Sequence, residues 1–480
     1  MTKLKSFFFA GLALTLVIMT ACSNAAQMPD AGTGGSAALP EAPFVEGGAS
    51  LILSPDKLDI KVMVTTSDNS LVTVEGCTVT TLTSGTETTL HAKDILVILK
   101  GKITDLYCSR NQLTALNVQG LTALKGLTCN RNQLTALNVQ GLTALKGLNC
   151  WGNQLTSLNV QGLIALKELW CYGNQLTALN VQGLTALQEL SCGDNQLTSL
   201  KVQGLTALQE LNCGGNQLTT LNVQGLTALQ DLGCHGNQLT ALNVQGLTAL
   251  QELSCGDNQL TALNVQGLTA LKGLNCSGNR LTAFDVQGLT ALQTLDCNRN
   301  QLTALNVQSL TALKGLGCGD NQLTALNVQS LTALKGLWCY GNQLTSLNVQ
   351  GLTSLERLSC SYNQLTSLDV HGLTALKDLG CNSNQLTALN VQGLTALQWL
   401  GCWGNRLTAE AFKKLFDDLP QRDAGNRGYC HLYIEEPGVT EGNHTDFTSP
   451  SEVQTAFENA KDVKHWKMYK RKMNGLWEEI

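Results

Sequence analysis

Charge is in short supply in this chain. Of its 480 residues only 14% are Asp, Glu, Lys or Arg, and the net charge is −5. No global excess of one sign directs it to nucleic acid or to an anionic membrane surface, so any charge-based recognition must be local. Metal-binding spacings are also missing: the 18 cysteines never fall in the clustered CxxC arrangement of a zinc site. His91, His235, His371, His431, His444 and His465 stand singly, and no GxSxG, HExxH or P-loop pattern occurs. Neither an enzyme nor a cofactor-binding or metal-binding protein is expected.

Long apolar runs are absent too, except at the N-terminus. Lys3 and Lys5 precede an apolar run from Phe7 to Met19, and Met19-Thr20-Ala21-Cys22 places small residues before a cysteine. This resembles a bacterial lipoprotein signal, which implies removal of residues 1–21 and acylation of Cys22; the plainer alternative is a secretory signal cut near Ala21. Residues 22–50, rich in Ala, Gly, Pro and Ser, cannot bury a core and read as a flexible tether. The expectation is a protein anchored to a membrane by its N-terminal lipid rather than inserted through it. Residues 51–104 alternate apolar and polar side chains and are rich in Val, Ile and Thr, which predicts a β-rich cap.

From residue 105 to residue 408 the chain repeats a 21-residue unit. Cysteines recur without a slip from Cys108 to Cys402, each followed three residues later by an asparagine, from Asn111 to Asn405, which makes fifteen coils. Twenty-one residues is also three heptads. A Gly or Ser after the Val-Gln pair, and leucines at 121, 124, 127, 134 and 137, do not sustain a coiled-coil seam. Between Leu124 and Leu134, alternation at Leu127 and Cys129 predicts a short strand with both side chains inward. Asn132 falls where the chain turns, with its amide able to satisfy backbone groups that have no ladder partner. The unit reads LxxLxLxxNxL with Cys at the second inward position, and it resembles the bacterial 21-residue leucine-rich-repeat class. The resemblance implies a solenoid of stacked 21-residue β-coils, curved or flat. The second half of each unit, such as Leu134 to Val139, echoes the first as LxxLxV, which predicts a second short strand on the opposite side.

A coil alone exposes its leucines, so stacking is obligatory and both open ends need covers. Residues 409–480 supply an α/β C-terminal cap. Phe412, Leu415 and Phe416 share one helical face behind Thr408 as N-cap. Ser449 to Glu452 reads as a capping-box start to a second helix running to about Lys461, and Tyr429 to Ile434 reads as a strand. The basic, aromatic tail from Asp462 to Ile480 is expected to form an amphipathic edge strand with Trp466 and Met468 inward; a polyanion-binding patch is the competing interpretation. The stacked repeat cysteines are expected to remain reduced as small apolar fillers: parallel side chains hold their Cβ atoms wider than a relaxed disulfide, and fifteen cannot pair fully. Cys77 and Cys430 fall in opposite caps.

The positions that vary lie beside the inward Leu-x-Cys strand and form columns down one face. Most hold small or polar residues. Large aromatics gather as Trp151, Trp170 and Tyr172, then Trp338 and Tyr340, then Trp399 and Trp403, and such residues make binding hot spots. One column reads Glu168, Glu189, Glu210, Asp231, Glu252, flanked by Asp194 and Asp257. These like charges repel unless a cation or basic partner offsets them. An acidic edge that resists pairing with other sheets, or drift among duplicated units, would produce the same column. The whole chain resembles leucine-rich-repeat surface lipoproteins of host-associated anaerobic bacteria, including spirochaetes. That resemblance implies an outer-membrane or cell-surface monomer that binds protein or glycan ligands in adhesion to host cells or other bacteria. The alternatives are a periplasm-facing structural lipoprotein and a cation-stabilised stalk.

Overall fold

The computed structural model describes residues 41–435, 441–472 and 476–480. The signal segment, Cys22 and the first part of the tether lie outside them.

The N-terminal cap begins earlier than its composition indicates. β1 (Gly48–Ile52) is buried along its whole length, so the last residues of the expected tether belong to the cap. Gly48 permits this, because a side chain there would meet the Leu99 carbonyl at 2.5 Å. β2 (Asp59–Thr66) buries Ile60, Val62 and Val64 and turns Asp59 and Lys61 outward, the alternation expected of a half-buried strand. β3 (Val72–Glu75), β4 (Thr81–Leu82), β5 (Thr88–His91) and β6 (Leu96–Lys100) complete the cap. β1 pairs with β6 on one side and with β8 (Ala115–Asn117) on the other. β7 (Ile103–Tyr107) joins cap to array: it lies antiparallel to β2 and parallel to β9 (Gly126–Thr128).

From β9 the sheet continues through parallel three-residue strands, one per coil, to β22 (Trp399–Gly401). In each strand the central Leu and the following Cys point into the solenoid; Leu190 is 1% and Cys192 0% exposed. All described cysteines are free thiols. Burial alone pushes Cys108 and Cys150 up to about 12, so the sulfurs act as apolar filling and not as nucleophiles.

The asparagines form a second ladder. Asn195 donates through Nδ2 to the carbonyls of Cys192 and Cys171, both at 3.1 Å, and its Oδ1 accepts from the Leu176 N–H at 3.0 Å. Each such side chain serves its own coil and the preceding one. The residue two after each cysteine is left-handed, with φ between 49° and 65° in all fifteen coils. Seven are glycines. Arg110, Arg131, Asp194, Asp257, Arg299, Asp320, Tyr362 and Ser383 occupy the others, at a cost of roughly 1 to 2 kcal/mol each.

The second strand predicted on the opposite side of each coil does not form. Leu134, Leu137 and Val139 are buried as their pattern requires, but the backbone turns there instead of pairing. The Asn138 side chain accepts from the Gln140 N–H at 3.0 Å, and Gly141 takes φ 80°. An asparagine that bonds its own backbone two residues on closes a turn locally and competes with a ladder. Among the described residues only β8, held by cap strand β1, is a strand on that side, with a single bridge from Asn117 to Asn138.

At the C-terminus α1 (Ala409–Asp418) starts as predicted, with Thr408 accepting from the Ala411 N–H at 3.2 Å and Phe412, Leu415 and Phe416 buried. These rings interlock with Phe447 and Phe457 at centroid distances of 5.1 to 5.6 Å. The capping box is not formed. Pro450 is the N-cap of α2 (Ser451–Glu458), and no side chain caps it. Starting the helix one residue later puts Ser449 out of reach of the amides it would cap, and the helix closes in a π turn, Asn459–Val463. β23 (Gly428–Ile434) and β24 (Trp466–Arg471) extend the parallel ladder, and β25 (Trp477–Glu479) folds back antiparallel. Trp466 and Met468 are buried, as the amphipathic pattern of the tail predicts.

Candidate binding face

Strand pairing in strict register turns sequence columns into real ones. Three residues before each cysteine, Glu168 lies opposite Glu189, Glu189 opposite Glu210, Glu210 opposite Asp231 and Asp231 opposite Glu252. No lysine directly precedes the last four: the residue just before them is Gln188, Gln209, Gln230 or Gln251, where neighbouring coils carry Lys; Lys272 of the next coil works against the shift at Glu252. Burial, reinforced by Glu210, pushes Asp231 up to about 6. Burial followed by Glu210 and Glu168 raises Glu189, against which a hydrogen bond from Trp170 works. Burial and then Asp231 raise Glu252, whose Oε2 is buried without a hydrogen-bond partner. Among the described residues no group of His, Cys, Asp and Glu is arranged to hold a metal ion.

The sign of the pH effect follows. A carboxyl whose folded pKa is raised contributes stability that is present below its unfolded value near 3.8 and lost as pH rises through about 6. Asp231→Asn is therefore expected to stabilise the array by about 1 to 2 kcal/mol above pH 6, solvent screening included, with the gain gone below pH 4. Urea titrations at pH 4, 5, 6 and 8 check this; a pH-independent gain would remove the charge explanation.

The predicted aromatics fall into three patches. Trp151 and Tyr172 stack at 4.9 Å and 11°, and the Arg131 guanidinium lies over the Trp151 ring at 4.5 Å; Trp170 lies in the same coil as Tyr172. Trp338 lies over Gly336, and Tyr340 over Gly319, glycines that leave the rings a flat floor. Trp399 covers Gly401 and reaches Gly380, and with Trp403 it packs against the C-terminal cap. There Trp403 meets Trp477 at 6.3 Å and Tyr362 at 5.7 Å, Trp399 meets His431 at 5.5 Å, and His431 meets Trp477 at 4.1 Å and Tyr469 at 5.2 Å. Burial lowers His431 to about 4, so it is neutral at pH 7. All seven predicted rings are half-buried.

Sequence reasoning missed Tyr362, His431, Tyr469 and Trp477 as members of the third patch. Tyr362 sits beside the Trp403 column and was legible from the period. The others come from β23, β24 and β25, which continue the sheet without keeping the repeat. On the turn side, a hollow of about 610 Å³ is lined by consensus residues around Phe284 and Asn306; its carboxylate, Asp285, is occupied by the Gln287 N–H at 3.0 Å.

The family model for leucine-rich repeats (2 copies) matches residues 185–226 and 353–394. The functional domain of InlJ from Listeria monocytogenes, which includes a cysteine ladder, is 32% identical over 72% of this chain and 78% of that one, with a TM-score of 0.65. The chain belongs to the leucine-rich-repeat family. A leucine-rich-repeat protein of Leptospira interrogans is 29% identical, covering 65% of this chain and 81% of that one with a TM-score of 0.54. The internalin InlF of Listeria monocytogenes is 27% identical over 57% and 86%, also with a TM-score of 0.54. No curated protein sequence matches. A leucine-rich-repeat solenoid is an extended binding scaffold. Among the described residues no helix is long and apolar enough to cross a membrane.

Proposed function

We propose that this leucine-rich-repeat protein is a cell-surface lipoprotein, anchored through Cys22, whose outward sheet face binds protein or glycan ligands in adhesion to host cells or other bacteria. One observation carries the reading: half-exposed Trp and Tyr rings are gathered into patches on a rigid parallel ladder, while the intervening outward positions are mostly small. Aromatic side chains with few rotors lose little entropy on docking, which is why they dominate interface energetics. The acidic column is a second element of the same face. The lipid anchor rests on the Met19-Thr20-Ala21-Cys22 motif alone.

Replacing Trp170 and Tyr172 together with Ser is expected to weaken binding to host matrix or cells at least tenfold while leaving the melting temperature within a degree or two. Unchanged binding would remove that patch. Protease treatment of intact cells tests location: loss of the repeat region supports surface display, whereas full protection overturns adhesion and favours a periplasm-facing role.

A further inference from the structure

Arginine at the left-handed position two after cysteine needs a reason, because glycine fits there without strain. Arg299 has one inside the fold: its guanidinium spans Gly278 to reach Asp257 at 3.0 Å. Among the described residues Arg131 has only the Trp151 ring, 4.5 Å from its guanidinium, and Arg110 has neither a ring nor an acid beside it. Among the described residues no carboxylate lies within ion-pair distance of either, and both are exposed. They occupy consecutive coils, one ladder step of about 4.8 Å apart, so their charges repel.

Further cations surround them. Lys125, Lys146 and Lys167, four residues before the cysteines of coils 2 to 4, are exposed and likewise have no ion-pair partner among the described residues. Lys57 reaches in from the cap and donates to the Arg110 carbonyl at 2.8 Å. Against these, the outward strand positions of coils 1 to 4 carry only Asp105 and Glu168. Between the two cationic flanks lie Trp151, Trp170 and Tyr172.

The geometry points to coils 1 to 4 as a docking end for an acidic protein surface, with an aromatic centre and a cationic rim. This rests on the reading that the outward face binds a partner. Trp, Tyr and Arg are the residue types that anchor protein interfaces. A guanidinium laid flat on a ring still offers its N–H edge to an Asp or Glu carboxylate. An acidic protein surface is the occupant, rather than a neutral glycan, because the exposed cations without acidic partners call for negative charge, and the Trp151 ring is already in contact with Arg131 and Tyr172. The carboxylates from Glu189 to Glu252 in the next coils repel the same partner and so set its position along the array.

The test measures binding of the full chain to immobilised poly-L-glutamate, with heparin and host matrix as parallel arms. Poly-L-glutamate is expected to bind, more weakly as salt rises, and R110G/R131G is expected to lose at least tenfold in affinity without a lower melting temperature. R299G, which breaks only the internal pair, is expected to leave that binding unchanged. No binding to poly-L-glutamate, or equal binding by R110G/R131G, overturns the inference. Heparin binding lost in R110G/R131G, with no affinity for poly-L-glutamate, overturns the protein assignment in favour of an acidic glycan. Matrix binding that persists through Trp170 and Tyr172 in either case leaves the broader function standing, whereas loss of every arm removes both.

Discussion

Asn258→Ala is expected to destabilise the array by about 3 to 5 kcal/mol and to create a protease-sensitive break between coils 7 and 8. The Asn258 side chain donates to the carbonyls of Cys234 at 3.0 Å, Cys255 at 3.1 Å and Gly256 at 3.1 Å, and accepts from the Leu239 N–H at 3.0 Å. Truncation orphans these groups in a water-excluded layer, at about 1 to 3 kcal/mol for each that finds no substitute. Because the backbone and asparagine ladders link each coil to its neighbours, the damage falls on one junction of a quasi-one-dimensional stack. Asn264→Ala is the control. Its exposed side chain only caps the Gln266 N–H at 3.0 Å, so a loss below about 1 kcal/mol is expected. Urea unfolding with mapped limited proteolysis distinguishes the two; similar effects would deny the buried ladder its special role.

The second large effect concerns the C-terminal end. Asn443, outside the 21-residue period, supplies the ladder's closing rung: its Oδ1 accepts from the Leu407 N–H at 2.9 Å, and its Nδ2 donates to the carbonyls of Cys402 and Leu432, both at 3.0 Å. Asn443→Ala is expected to cost about 2 to 4 kcal/mol and to loosen the cap while the middle coils keep their protection. Removing everything after residue 408 is expected to be worse, since it strips the Phe412, Phe416, Phe447 and Phe457 cluster and β23 from the last coil, leaving apolar surface and an open strand edge. Hydrogen exchange by coil for the point variant, and light scattering for the truncation, check these outcomes. A truncated chain that stays monomeric and folded would show that the array caps itself.

The opposite end is closed by the same chemistry. Asn111 exchanges hydrogen bonds with cap residue Lys61, its Oδ1 accepting from the Lys61 N–H at 2.9 Å and its Nδ2 donating to the Lys61 carbonyl at 2.7 Å. Asn111 was visible as the first rung because it keeps the period. Its partner was not, because Lys61 is an outward residue of β2 and nothing local marks it. Asn443 was hidden for the same reason.

Much of the array could be read from the chain alone. The period of 21, the inward Leu and Cys, the turn asparagine and the apolar face of α1 each depend on contacts within one coil or between identical neighbours, so a local pattern determines them. The columns of the candidate face followed as well, once strands of equal period paired in register: the acidic run from Glu168 to Glu252 and the neighbours Trp151 and Tyr172 are consequences of arithmetic. Only the tertiary structure decided the rest. It turned the LxxLxV half of each coil into an Asn-closed turn, drew residues 48–50 into the cap, and joined Tyr362, His431, Tyr469 and Trp477 to Trp399 and Trp403. It also set Arg131 over Trp151 while leaving the Arg110 side chain without an acidic partner among the described residues. Those outcomes depend on which non-repeating segment packs where and on how side chains compete for the same backbone groups, and a period does not encode either.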